Sequence, residues 1–75
     1  MHSLRIHDEK VTARRVCDEL YVMWGAARAE ANVAYDDWCE DPGTMSYAVY
    51  LAAEDRADAA ERAYAVACEQ LAVLV

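Results

Sequence analysis

The sequence predicts an all-α fold: an antiparallel two-helix hairpin with a coiled-coil-like, alanine-rich seam, dimerising into a four-helix bundle. Three observations predict it. Apolar residues recur at alternating spacings of three and four in two long ladders, one Pro-Gly step separates the ladders, and the ladders match each other when the chain is folded back at that step. A mean spacing of 3.5 residues keeps one stripe turned toward one neighbour along a whole helix.

The first ladder is Ala13, Cys17, Leu20, Trp24, Ala27, Ala31, Ala34 and Trp38. It predicts a helix over about 8–39, roughly 48 Å long at 1.5 Å per residue. Asp8 is an acceptable cap, and Asp8-Glu9 suits the positive end of a helix beginning there. Ser3 offers an earlier start, so residues 1–7 either extend this helix or are disordered. Asp41-Pro42-Gly43-Thr44 then breaks it: proline disfavours helix in the residue before it, and glycine accepts a left-handed conformation. The second helix is expected over 44–73, capped by Thr44 or begun by Asp41 with Pro42 in its first turn. Its ladder is Tyr50, Ala53, Ala57, Ala60, Tyr64, Ala67, Leu71 and Leu74.

Antiparallel seams pair positions whose numbers add to a constant, and here the constant is 84. Trp24 meets Ala60, Ala27 meets Ala57, Ala31 meets Ala53, Leu20 meets Tyr64 and Cys17 meets Ala67, with the midpoint at residue 42. Turn chemistry and ladder register therefore agree on the fold-back. Large residues face small ones, as interdigitating layers require. Glu30 is expected near Arg56 on one side of the seam, and Arg28 near Glu54 on the other.

One flank of the hairpin remains apolar after the seam is closed. It carries Val16, Met23, Val33, Val49, Ala52, Ala59, Val66 and Val73, interrupted midway by Glu30 and Arg56. An apolar strip of this length calls for a partner, and a second copy is the simplest because most oligomers are symmetric. The opposite flank holds Tyr21, Arg28, Tyr35, Glu54, Asp58 and Glu61, a candidate surface for a different partner, where aromatics beside arginine make good contact residues.

Composition bounds the function. Residues 1–75 hold one domain, and two helices side by side bury too little surface to be comfortable alone. Much of the 57% hydrophobic content is alanine, which suits helix formation more than core volume. The net charge is −7, and residues 16–75 set Arg28, Arg56 and Arg62 against twelve acids, so nucleic acid is not an expected partner. The basic start, Arg5 to Arg15, reads as a solvated segment. No membrane association is expected, because Leu71 to Val75 is far too short to span a bilayer. Cys17, Cys39 and Cys68 lack zinc spacing, and charged residues interrupt any secretory leader, so a reducing cytoplasm is the default. Alanine richness, with six arginines to one lysine, suggests a GC-rich bacterial genome.

Chemistry is sparse. His2 and His7 make no metal-binding pair with a glutamate. Glu54, Asp58 and Glu61 share one helix edge, a thin basis for a magnesium or calcium site. Asp37-x-x-Glu40 and Asp55-x-x-Asp58 have the spacing of the acidic motif of all-helical nucleotide pyrophosphohydrolases. They carry aspartates where that motif uses glutamates, and they fall on opposite flanks, so they cannot converge on one ion. Ser3 and Ser46 lack a histidine base, and Cys39 and Cys68 lie among acids that oppose a thiolate.

The resulting expectation is a cofactor-free, non-enzymatic interaction module (an adaptor, regulator or assembly factor) acting as a homodimer or with another helical protein. The alternatives are a small metal-dependent enzyme using the acidic row, and an acidic decoy that mimics nucleic acid.

Overall fold

The computed structural model describes the backbone of residues 2–74 and the side-chain surroundings of residues 8–74. Two helices, α1 (His2–Glu40) and α2 (Thr44–Leu74), pack against each other. The hairpin is a rod of 60 × 13 × 13 Å with a radius of gyration of 17.2 Å, where a compact chain of this length would have about 11 Å. Among the described residues no helix is long and apolar enough to cross a membrane.

Helix α1 begins at His2, six residues before the expected start at residue 8. Residues 2–12 contain neither glycine nor proline, so nothing stops the helix from propagating back from its packed portion. Ser3 and Asp8 accordingly lie inside the helix rather than capping it. The side chains of His2, Arg5, His7 and Val75 lie outside the described residues.

The other end of α1 closes with the amide of Asp41 donating to the carbonyl of Asp37 at 3.0 Å. Pro42 has no N–H with which to continue the ladder. Helix α2 opens when the Tyr47 amide donates to the Gly43 carbonyl at 3.0 Å, which makes Gly43 the cap position and Thr44 the first helical residue. Two turn expectations are corrected here. Thr44 does not cap, and no glycine has a positive φ, so Gly43 serves without left-handed backbone. Ser46 supplies the polar closure instead: its hydroxyl lies 2.9 Å from the Asp41 carbonyl and 3.2 Å from that of Gly43. Its single proton is shared between the Asp41 carbonyl, which follows the end of α1, and the Gly43 carbonyl, which also accepts the Tyr47 amide.

Every member of both ladders is buried or half-buried. Register follows suit, since the cross-helix partners Arg28–Glu54, Glu30–Arg56, Tyr35–Tyr50 and Trp24–Tyr64 all lie within four of the expected total of 84. The buried core is made of small side chains: Cys17, Ala31, Ala34, Ala53, Ala57 and Ala67. Ala31, Ala34, Ala53 and Ala57 form its centre, with Ala27 and Tyr50 packed against it.

Aromatic rings brace the seam at two levels. Trp38 stacks on Tyr50 with centroids 5.6 Å apart near the turn, and Trp24 stacks on Tyr64 at 5.6 Å midway. Offset stacking of this kind adds about 0.5–1.5 kcal/mol per pair beyond the area it buries.

Candidate interaction surfaces

The chain exposes 5765 Å², whereas a compact monomer of its 8.4 kDa exposes about 4600 Å². The excess, roughly 1150 Å², is larger than the about 800 Å² that one partner contributes to a standard protein interface. Much of it is apolar. Val16, Met23 (59%), Val33, Val49, Val66 (51%) and Val73 (85%) all stand exposed, and so do Ala52 and Ala59.

Helical spacing explains why they share a side: Ala52, Ala59, Val66 and Val73 follow at seven-residue intervals on α2, flanking the seam rather than entering it. Met45, exposed at 78%, belongs to the same row and carries it to the turn. Sequence reasoning missed it, although the interval of seven to Ala52 was its signal. Toward the open end the flank dips into a hollow of about 510 Å³, whose walls include Thr12, Ala13, Val16, Ala67, Gln70 and Leu74. Small alanines at the seam leave that space unfilled.

The ion pair that interrupts this flank forms as expected, with Arg56 Nη2 3.9 Å from Glu30 Oε2 and both side chains largely in water. Such a pair contributes about 0.5 kcal/mol at most.

The opposite flank is more committed to the hairpin itself. Arg28 donates to Glu54 across the seam, and its Nε is enclosed without a hydrogen-bond partner. Tyr21 lies edge-on to Trp24 at 6.3 Å and tilts against Tyr64 at 5.5 Å, while Tyr35 meets Tyr50 edge-on at 5.4 Å. These tyrosines finish the aromatic clusters, though much of each ring still faces solvent.

Asp58 and Glu61 are exposed, whereas Glu54 is tied to Arg28. Among the described residues no group of three or more His, Cys, Asp and Glu side chains comes together as metal ligands would. Asp37, Glu40, Asp55 and Asp58 all stand in solvent.

Among the described residues three protonation equilibria are displaced, all upward. A hydrogen bond with Cys68 raises the Cys17 thiol first, and burial adds to it. Hydrogen bonds to thiols lead the rise for the two tyrosines as well, Cys39 acting on Tyr35 and Cys68 on Tyr64. Sequence reasoning did not anticipate the meeting of Cys17 with Cys68, because it paired Cys17 with the adjacent Ala67.

No known protein family matches this sequence, and no curated protein or solved structure shows significant similarity to it.

Proposed function

We propose that this chain is a protein-protein interaction module that acts as a homodimer, two hairpins joining through the apolar flank into a four-helix bundle. The observation that carries this reading is the mismatch between the two sides of each helix. Alanines fill the most enclosed part of the seam while valines and two methionines stand in water on the flank, over a surface excess large enough for one side of a standard interface.

Charge favours one arrangement of the two copies. Glu30 and Arg56 sit at the same height on neighbouring helices. If the two turns lie at the same end, a two-fold axis parallel to the helices lays α1 of one copy over α2 of the other, and each Glu30 meets Arg56 of the second copy. If the turns lie at opposite ends and the copies are centred on this pair, Glu30 meets Glu30 and Arg56 meets Arg56. Like charges at an interface oppose association, so the first arrangement is the one we adopt.

Light scattering at micromolar concentration tests the dimer, with twice the chain mass expected. A fully helical, cooperatively folding monomer would end the reading. Arrangement is tested by mixing the native chain with a charge-exchanged variant, Glu30→Arg with Arg56→Glu. Turns at one end predict that each species sorts with itself, because a mixed dimer sets like charges together. Turns at opposite ends predict a preference for the mixed dimer.

A further inference from the structure

Two thiols meet across the seam toward the open end of the hairpin. Cys17 on α1 and Cys68 on α2 bring their sulfurs to 3.5 Å across 51 positions of sequence, and both are free thiols. Cys17 is 8% exposed and Cys68 half-buried. Cys68 follows Tyr47, Glu54 and Glu61 at seven-residue intervals, so it opens on the side carrying tyrosines and acids, away from the apolar flank. A disulfide requires sulfurs about 2.05 Å apart. The remaining gap of roughly 1.5 Å is within the reach of two side-chain rotations and a small helix adjustment, since neither helix must cross the other or change register.

We propose that Cys17 and Cys68 form a reversible intramolecular disulfide that staples the open end of the hairpin, with a low-molecular-weight disulfide as the oxidant. In the first exchange Cys68, the more accessible sulfur, loses its proton to solvent. Its thiolate attacks one sulfur of the oxidant, the oxidant's S–S bond breaks, and a mixed disulfide on Cys68 forms as the first small thiolate leaves. In the second exchange Cys17 loses its proton and attacks Sγ of Cys68, and the second small thiolate departs. Two protein thiols thereby give up two electrons and two protons, and one small disulfide becomes two small thiols.

Geometry assigns the order. Cys17 is shielded from the oxidant yet already in contact with Cys68 Sγ, the atom it must attack. Its raised pKa agrees, because the leading cause is a hydrogen bond to Cys68 that the mixed disulfide would weaken. Cys39, 22 positions along α1 from Cys17, is roughly 33 Å away and cannot compete within one chain.

The location gives the bond its consequence. The turn, both aromatic levels and both ion pairs tie the helices together from Tyr21 and Tyr64 inward. Beyond them the seam relies on small and aliphatic contacts. A link there closes a long loop, the case in which a cross-link restricts the unfolded chain most. It would hold together the segment bearing Val16, Val66 and Val73, whether or not the chain dimerises.

The test treats the folded native chain with oxidised glutathione and reads intact mass, alkylatable thiols and melting temperature. The expected product is lighter by about 2 Da and keeps one alkylatable thiol, Cys39. It melts on the order of 10 °C higher and reverts with dithiothreitol. Cys17→Ser is expected to accumulate the mixed disulfide on Cys68, with circular dichroism confirming that the variant is helical. Should it not fold, the native-chain measurements decide alone. A mixed disulfide that persists on Cys68 of the native chain would overturn the proposal. So would a product dominated by chains linked through Cys39 while Cys17 remains alkylatable.

Discussion

The most enclosed positions of the seam hold alanine and Cys17, with its tryptophans, tyrosines and leucines only half-buried, while the flank exposes valines and methionines. Ala31, Ala53 and Ala57 are almost wholly enclosed, while Met23, Met45, Val66 and Val73 stand in water. A monomer stabilised by its own core would show the reverse, because burial is worth more for valine and methionine than for alanine. The difference teaches that the two stripes do separate work. Close-packed alanine lets the helices approach in register, and the flank keeps exposed apolar area that the proposed second copy would cover.

The largest effect is expected at Val66 on the exposed flank. Val66→Asp places an unpaired carboxylate in the proposed interface twice over, once from each copy, and is expected to raise the dimer dissociation constant by about three orders of magnitude. Ala65→Asp, one residue away and also exposed but off the flank, should leave association unchanged. Sedimentation equilibrium across a dilution series separates the two variants.

Ala57→Leu tests the other stripe. Ala57 is 1% exposed, and overpacking so close a seam is expected to cost about 2 kcal/mol, lowering the melting temperature by roughly 10 °C. The same change at Ala59, on the exposed flank, should cost nothing and strengthen association.

Alkaline titration follows. Cys17, Tyr35 and Tyr64 hold their protons more firmly in the fold than at their ordinary values of 9.0 and 10.0. The unfolded chain therefore releases protons first, so this contribution is complete below about pH 9 and is lost as pH rises through the folded values. Melting temperature measured under reductant should decline above that point, less in a Tyr64→Phe variant.

The smallest effect is expected at the turn. Ser46→Ala removes the hydroxyl shared by the Asp41 and Gly43 carbonyls, costing about 0.5–1 kcal/mol, a few degrees by calorimetry.

Much of this molecule was legible in its residues. Both helices, the fold-back, and the ion pairs of Arg28 with Glu54 and Glu30 with Arg56 follow from spacing alone. A seam at 3.5-residue intervals leaves few alternative registers, and Asp41-Pro42-Gly43 permits one place to turn. Of the two starts the residues offer for α1, near Asp8 or earlier with residues before it extending the helix, the backbone follows the earlier, because nothing before Asp8 interrupts the helix. The turn was misassigned because Thr44 and Gly43 both suit a cap, and backbone geometry chose between them.

Which residues line the seam is written in the order of the amino acids, because periodicity is a property of one helix and two ladders can be matched by their spacing. Only the tertiary structure decided what happens beside the seam: that Cys17 touches Cys68 rather than merely facing Ala67, that Met45 joins the apolar row, and that Ser46 closes the turn. Those contacts depend on side-chain torsions and on how closely two helices approach. A shift of an ångström there separates a thiol pair from two isolated cysteines, and no repeat in the sequence records it.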